Sequence, residues 1–593
     1  MRARRPGVLR PASSAARCPA RTLAAPGHAA RGRGSRRGRQ GPYDGRKLMS
    51  EENTAVLIAG GGIVGLSAAV FLRRHHVPVL LVERHPGTSM LAKARVLSPR
   101  TMELYRGHGL EEAVRAAPPS VFLAATDVVR AATLAGPEEY RGSRPPGESV
   151  GWASPCPPAL VEQSTVEPLV RARAEELGAD VRFHTEVGEV TQDADGVTAH
   201  LTDRASGRRY TVRARYLIGA DGHRSPLRGA LGIRTRGRRL AHVVNIAFEA
   251  DLGAALRGRP VGLAYLARPV PGTLLARLDG ADRWVLMVPY DPERGEGPAD
   301  FTPERCAADV RAAVGVPDLA VRVLPAVPGT GRAVHTWELA SWVAEEYRRG
   351  RILLAGDAVH VMPPSGGLGA NTGIQDVHNL AWKLAAVLQG RAGAGLLDTY
   401  EPERRPVAEL TCALSARLQQ ERAGTGGEDA AAARAGRLAL GLGYRYDSRA
   451  VAAAGGGDGL GEPGRPGTRA PHLDLTREGR ACSSIDLYGP HFTLVLGPGA
   501  DDTLPMPHAL AAPDGHGAGE GRLEVLRIGR EAADPSGRWA ASHGVGSGGA
   551  VLVRPDGFIA WRARVWDAGT ARQLPGVLAG VLALPPLPVA AGR

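Results

Sequence analysis

The chain has 593 residues, 43% of them hydrophobic, 5% aromatic and 23% charged, with a formal net charge of +14. That length exceeds a single core, so two to four domains are expected. The charge does not imply a nucleic-acid partner. Residues 1–48 hold twelve Arg, one Lys and one Asp, whereas the other 545 residues carry 61 basic and 59 acidic side chains, a near-neutral body with no footprint for a phosphate backbone.

Residues 1–48 lack apolar periodicity and lack the apolar core of a secretory signal, so a disordered basic tail is expected. Met49 opens MSEENTAVLIAGGG and is read as the true start; a nucleic-acid-binding arm is the alternative. Residues 54–84, TAVLIAGGGIVGLSAAVFLRRHHVPVLLVER, form a β-α-β unit. Val56 to Ala59 read as a buried parallel strand, Gly60, Gly62 and Gly65 follow at G-x-G-x-x-G spacing, and Leu66, Ala69 and Val70 recur at helical intervals. Val79 to Val82 make the second strand, ending in Glu83 and Arg84. Gly60 permits the tight turn, Gly62 leaves room for a pyrophosphate, Gly65 brings helix and strand together, and Glu83 is placed for ribose hydroxyls.

Residues 91–112 contain a Pro-Arg start and a helical pattern (Met102, Leu104, Tyr105), and an amphipathic helix is expected over 163–177, opened by Gln163. Strands are expected at 181–185, 197–202 and 209–213, and RYLIGADGHRSPLR (215–228) reads as a strand ending in Gly-Ala-Asp-Gly. Residues 241–334 alternate between strands and turns, for example 262–266, 273–278 and 284–289, the last two around Asp279-Gly280, which indicates a sheet domain. At 351–388 come a short strand, a glycine-rich loop and a helix from about Thr372 to Leu388. The Gly-, Ala- and Arg-rich stretch 423–467 reads as a linker with one helical piece. Strands at 491–497, 523–528, 550–554 and 558–562, then a helix at 568–582, make a small α/β module. The five cysteines, Cys18, Cys156, Cys306, Cys412 and Cys482, form no C-x-x-C or metal spacing. Reduced thiols in a cytoplasmic protein, with no metal, are expected. No run of about 18 apolar residues exists, so no membrane span is expected.

Three motifs in this order, Gly60–Gly65 with Glu83-Arg84, Asp221-Gly222 inside LIGADGHRSPLR, and Gly356-Asp357 inside LLAGDAVHVMPPSGGLGANTGIQDVHNLAWKLA, closely resemble the single-component FAD-dependent aromatic hydroxylases, the para-hydroxybenzoate and phenol hydroxylase family. The resemblance covers about 54–420. The tail from about 468 resembles the thioredoxin-like C-terminal module of the larger members, which include hydroxylases of tetracenomycin- and angucycline-type polyketides. It implies an α/β architecture in which a Rossmann-like FAD-binding domain (54–230 and 335–425) carries an inserted antiparallel substrate-binding sheet domain (231–334). The linker 426–467 and the module 468–593 follow. Without C-x-x-C, that module is expected to serve packing or homo-oligomerisation.

The resemblance implies that Gly60, Gly62 and Gly65 hold the FAD pyrophosphate, Glu83, with Arg84 after it, the adenosine ribose, and Asp357 the ribitol. Residues 363–371, including Pro364, wrap the isoalloxazine, with the amides of Gly369, Ala370 and Asn371 toward its N1/C2 carbonyl edge. Gln163 and Asp221 lie near FAD, Asp221 also near the nicotinamide. Many members have Arg-Ala-Arg where this chain has Lys93-Ala94-Arg95; Arg95 is the expected phosphate contact. The alternatives are a turn or N-cap role for Asp357 and a helix-terminal role for Gln163, and His360 is expected to be a satisfied structural histidine. Trp152, Tyr265, Arg277, Trp284 and Tyr290 are candidate pocket residues, and no catalytic base is assigned.

The implied activity is NADPH- or NADH-consuming monooxygenation of a polycyclic aromatic, a small-molecule polyketide substrate, by O2 through a flavin C4a-hydroperoxide. A catabolic phenol hydroxylase, a Baeyer–Villiger or antibiotic-inactivating monooxygenase, and a flavin-binding scaffold without turnover are the alternatives. A flavin halogenase is disfavoured because no lysine lies between Lys93 and Lys383.

Overall fold

Strand β1 (Glu51–Ala59) is the centre of the first sheet, with Val56, Leu57 and Ile58 fully buried. A strand buried on both faces needs helical cover on both sides. Helix α1 (Ile63–Arg74) supplies one cover, burying Leu66, Ala69, Val70 and Phe71. The computed structural model describes residues 51–89, 94–120, 127–143, 151–278, 282–325, 334–422, 436, 440–452, 463–501, 503–504 and 523–585. The expected tail at 1–48, Lys93 and the Asp279-Gly280 turn lie outside the described residues.

β1 pairs in parallel with β2 (Val79–Val82) on one side and with β8 (Arg209–Gly219) on the other. β16 (Ile352–Leu354) pairs in parallel with β8, and β5 (Asp180–Arg182) with β2. β6 (Thr185–Gln192) and β7 (Val197–Asp203) form an antiparallel hairpin against β8. Two boundaries differ from expectation. The strand expected at 181–185 breaks at His184, which takes φ +55, so β5 and β6 are separate. The strands expected at 209–213 and 215–219 are one, because the ladder to β1 runs unbroken from Thr211 to Gly219 apart from one residue.

Among the described residues the second sheet has nine strands. Its centre is β9 (Thr235–Glu249), β10 (Val261–Leu266), β11 (Thr273–Arg277) and β12 (Arg283–Tyr290), paired antiparallel. It extends past the expected 231–334: β3 (Asp127–Ala131) and β4 (Glu138–Ser143) join beyond β10, and β14 (Val334–Ala344) and β17 (His360–Val361) join beyond β9. One face packs on the helix Pro303–Val314 through Val244, Ile246, Phe248, Trp284 and Leu286, against Cys306, Val310 and Ala313.

The C-terminal part holds a four-stranded sheet in which β20 (Thr493–Leu496) pairs parallel with β21 (Glu524–Arg527) and antiparallel with β22 (Ala550–Val553), itself paired with β23 (Ile559–Ala563). The helix Ala568–Val581 follows. In the stretch expected as linker, Tyr444 and Tyr446 are buried, and Tyr446 stacks on Phe558 with ring centroids 4.1 Å apart.

Buried ion pairs cross the seam between this part and the first sheet's domain, beside an apolar cluster. Arg554, fully buried, donates from Nη1 and Nη2 to Glu403 at 2.7 and 2.8 Å. Lys383 adds a bond of 2.7 Å to the same carboxylate. Arg469 pairs with Glu103, Nε to Oε2 at 2.8 Å, and Arg100 Nη2 donates to the Asp556 carbonyl at 2.7 Å. Trp382 Nε1 donates to Asp556 Oδ2 at 3.1 Å.

Candidate functional site

Parallel strands present their carboxyl ends on one edge of the sheet, where ligands of such folds bind. β1, β8 and β16 are adjacent, with Ala59 opposite Gly219 and Gly219 opposite Leu354. The three motifs therefore emerge side by side: Gly60–Gly65 after β1, Asp221 after β8, and Gly356-Asp357 after β16.

The glycines differ in what they do. Gly60 takes φ +111, and a Cβ there would lie 2.2 Å from the Ala220 carbonyl oxygen. At Gly65 it would lie 1.9 Å from the Gly60 oxygen. Both are required by the protein's own backbone. At Gly62 the nearest atom would be Glu167 Oε1, 3.9 Å away, so the fold itself leaves that space open. This is the cradle a pyrophosphate requires, and the residues fit the group. Gly62 is also the N-cap of α1, whose amides beyond Ile63 point into the space.

Glu83 reaches this turn: the Gly61 amide donates to its Oε2 at 2.7 Å, and the His85 amide to its Oε1 at 2.9 Å. Arg84 is exposed. Gln163 opens the helix Gln163–Glu176 and clamps residue 94: its amide donates to the Ala94 carbonyl at 2.8 Å, and its Oε1 accepts from the Ala94 amide at 3.2 Å. Arg95 pairs with Glu162 at 3.3 Å. Arg95 and Gln163 are thus brought together, each partly committed to structure.

Asp221 accepts from Ser225 Oγ at 2.7 Å and from the Leu227 amide at 3.1 Å, capping the short helix Pro226–Ala230. Burial pushes its pKa up, against those hydrogen bonds. Asp357 is exposed between buried Gly356 and Ala358, and its carboxylate caps no helix. The turn carrying it is held by Asp376, whose Oδ2 accepts from the Gly356 amide at 3.2 Å. Asp376 lies 2.7 Å from His360 Nε2 and accepts from Arg404 Nε at 2.8 Å. Burial opposes its ionisation, but His360 and Arg404 outweigh burial and hold its pKa below the ordinary value. His360 is fully buried in this network and faces no open space.

The helix expected from about Thr372 starts at Gly369 and runs to Leu388. It starts earlier because the Thr372 amide already bonds back to the Leu368 carbonyl at 2.9 Å. The amides of Gly369, Ala370 and Asn371 precede the first intrahelical donor, the Thr372 N–H, and point out of the helix start. Pro364 is exposed in the loop before them. The Asn371 side chain is fully used: Oδ1 accepts from the Ser98 amide at 2.8 Å and Thr101 Oγ1 at 2.7 Å, and Nδ2 donates to the Val96 and Gly367 carbonyls at 2.9 and 2.7 Å.

Of the candidate pocket residues, Trp284 and Arg277 stand opposite each other, and Trp284 belongs to the core under the helix Pro303–Val314. Tyr290 packs toward the same core, against Phe301. Trp152 is 74% exposed. Only Tyr265 lies on the sheet's other face. Trp284 and Tyr290 thus pack on the core side and Arg277 stands half-buried on the same face, because alternate residues of a strand point to opposite faces.

Sequence reasoning missed Glu167 and Asp376. Glu167 is fully buried and accepts from the Ile63 amide at 3.1 Å, the Ser89 amide at 2.7 Å and Gln163 Nε2 at 2.6 Å. Its signal was its place four residues beyond Gln163 on one helical face. Asp376 stood out only as an acid within an apolar helix.

Among the described residues no group of three His, Cys, Asp or Glu side chains could hold a metal ion, and no helix is long and apolar enough to cross a membrane. Cys156, Cys306, Cys412 and Cys482 are free thiols, and burial pushes the pKa of each of them up.

Residues 53–415 match the family described as FAD binding domain, and residues 463–585 match that described as aromatic-ring hydroxylase, C-terminal. The chain is 40% identical to tetracenomycin A2 monooxygenase-dioxygenase of Streptomyces glaucescens over 567 residues, covering 90% of this chain and 98% of that protein. It is 39% identical to 4-methyl-5-nitrocatechol 5-monooxygenase of a Burkholderia species, covering 86% and 94%. The crystal structure of aklavinone-11 hydroxylase with FAD and aklavinone superposes with a TM-score of 0.79 at 36% identity, over 90% of this chain and 100% of that one.

Proposed function

Because this chain belongs to the FAD-dependent aromatic-ring hydroxylases, we propose that it is an NADPH- or NADH-consuming monooxygenase that hydroxylates a polycyclic phenol or quinone of polyketide type. The flavin, when bound, would supply the chemistry, the transfer of one oxygen atom of O2 to an electron-rich ring. The chain's own residues bind and orient. Gly62 and the amides of α1 beyond Ile63 take the pyrophosphate, with Gly60 and Gly65 shaping the turn. Glu83 turns from the Gly61 amide to the ribose, with exposed Arg84 beside it, and Arg95 and Gln163 close over the phosphates. Asp357 takes the ribitol, and Asp221 borders the same edge. Pro364 shapes the loop beside the flavin ring. The outward amides of Gly369, Ala370 and Asn371 favour negative charge at the ring edge, and the helix dipole behind them adds to that. The C-terminal part is read as thioredoxin-like, supported by its parallel pair, antiparallel hairpin and closing helix. Its one described cysteine, Cys482, has its pKa raised by burial, and a packing role is the better reading.

The observation that carries this reading is the open space at Gly62 beside an exposed Asp357, in a chain 36% identical to a hydroxylase solved with FAD and aklavinone. The test is to incubate the flavinated protein with NADPH, a hydroxyanthraquinone and labelled O2. A mass gain of one labelled oxygen supports it; NADPH oxidation yielding only H2O2 across three- and four-ring phenols sinks it. A catabolic reading is favoured by the nitrocatechol relative, and tight coupling with single-ring catechols alone would select it.

A further inference from the structure

The face of the second sheet away from the helix Pro303–Val314 has its own pattern. Val244, Ile246 and Phe248 point toward that helix, so Asn245, between them, points the other way. Cross-strand pairing continues this face: Asn245 stands opposite Met287, Met287 opposite Leu274, and Leu274 opposite Tyr265. Three strand spacings of about 4.8 Å make this row roughly 14 Å long. It is apolar along Met287, Leu274 and the Tyr265 ring and polar at its Asn245 end. Asn245, Met287 and Leu274 are only half-buried, although their strands are central in the sheet.

Trp337, on β14 diagonal to Asn245, donates its Nε1–H to Asn245 Oδ1 at 2.8 Å. That bond fixes which way the amide faces: the oxygen meets the indole, and the Nδ2 donors turn away from it. β14 pairs with β17, from which the chain runs through Met362 directly into the loop 363–371.

We infer that Asn245, oriented by Trp337, reads the substrate, donating from Nδ2 to a ring carbonyl of a polycyclic quinone laid along Met287, Leu274 and Tyr265. The inference rests on the hydroxylase reading above and names the ligand group that this face selects. A site built to donate a hydrogen bond rejects the analogue lacking the acceptor, because its own polar group is then left unpaired.

The test uses the oxidised holoenzyme, titrated with 2-hydroxyanthraquinone and with 2-hydroxyanthracene, which lacks the two carbonyls, and read by the flavin absorbance change. The wild type is expected to prefer the quinone, and Asn245→Leu to lose about two- to tenfold of that preference, the worth of one neutral hydrogen bond. Trp337→Phe, which keeps an aromatic ring but frees the amide to flip, should lose part of it. Flavin content should stay unchanged in both. An unchanged quinone preference in Asn245→Leu, or none in the wild type, overturns the inference; if Asn245→Leu fails to hold FAD, an unchanged preference in Trp337→Phe does so. Asn245-dependent quinone binding without any hydroxylated product would overturn the hydroxylase reading alone.

Discussion

The carboxylate of Glu167 accepts a hydrogen bond from the amide of Ile63, 3.1 Å away and 104 residues earlier in the chain. A side chain from one helix thus occupies the first amide of another, α1, and narrows what a phosphate finds there to the amides beyond it. Glu167→Ala should therefore destabilise the flavin-free protein, since the Ile63 and Ser89 amides lose a buried acceptor, at about 1–3 kcal/mol for each. Thermal denaturation of apoprotein checks this; an unchanged midpoint would show that water replaces the carboxylate at no cost.

Gly62→Val and Gly65→Val should separate folding from cofactor binding. A side chain at Gly65 meets backbone at 1.9 Å, so that variant should be insoluble or unfolded. At Gly62 a Cβ meets nothing closer than 3.9 Å, so Gly62→Val should fold and purify colourless. A yellow, stoichiometrically flavinated Gly62→Val protein would refute the phosphate assignment.

Asp357→Ala should lower FAD affinity without lowering apoprotein stability, because the exposed carboxylate caps no helix. One charge-assisted hydrogen bond is worth about 1.5–3 kcal/mol, roughly ten- to a hundredfold in Kd. Flavin release on dilution is the measurement, and equal retention by the variant would remove Asp357 from the site.

Arg554→Ala leaves Glu403 and Asp556 buried with one cation, Lys383, where two had stood. Lys383 reaches only Glu403 as a point charge and does not replace the paired bonds of the guanidinium to Glu403 and Asp556. Breaking such a buried pair costs about 3–5 kcal/mol. Denaturant unfolding should show the loss, with faster proteolysis of the segment after residue 463; a midpoint equal to wild type would mean that the seam is held by its apolar contacts.

His543 makes an acid-labile point in the C-terminal part. It is fully buried, and burial, with Arg562 adding to it, pushes its pKa down to about 4 despite the bond to the Trp539 carbonyl. An unfolded histidine titrates near 6.5, so the unfolded chain binds the proton more readily. The stabilisation is complete above about pH 6.5 and is lost as pH falls toward about 4, about 3 kcal/mol across that window. His543→Gln should lose less stability than wild type between pH 7 and 4.5. Equal losses would assign the acid sensitivity elsewhere.

The sequence made the nucleotide edge legible because its determinants are local. The spacing Gly60, Gly62, Gly65 and the acid Glu83 work within one β-α-β unit, and Asp357 directly follows a strand. Glu167 and Asp376 were not legible, since their partners, Ile63, Ser89 and Arg404, are brought near only by packing. Which face Trp284 and Arg277 take was not legible, because an aromatic residue in an apolar strand looks the same whichever side it takes. Only the register against Phe248 and the cover by the helix Pro303–Val314 decide it. The strand starting TRGRRL at 235 has no apolar alternation, and pairing with β14 alone makes it a strand.

The helix Gly369–Leu388 opens with three outward amides at the cofactor loop, and about 15 Å further along, ten residues at 1.5 Å each, its Asn379 donates to Glu403 in the ionic seam. A recombination breakpoint in the nearby linker would separate Arg469 and Arg554 from the carboxylates matched to them, leaving buried charge on both halves. Gene shuffling among relatives should therefore yield soluble, coloured hybrids only where Glu103, Glu403 and their arginines travel from one parent. For inheritance as well as for folding, the two parts behave as one cassette.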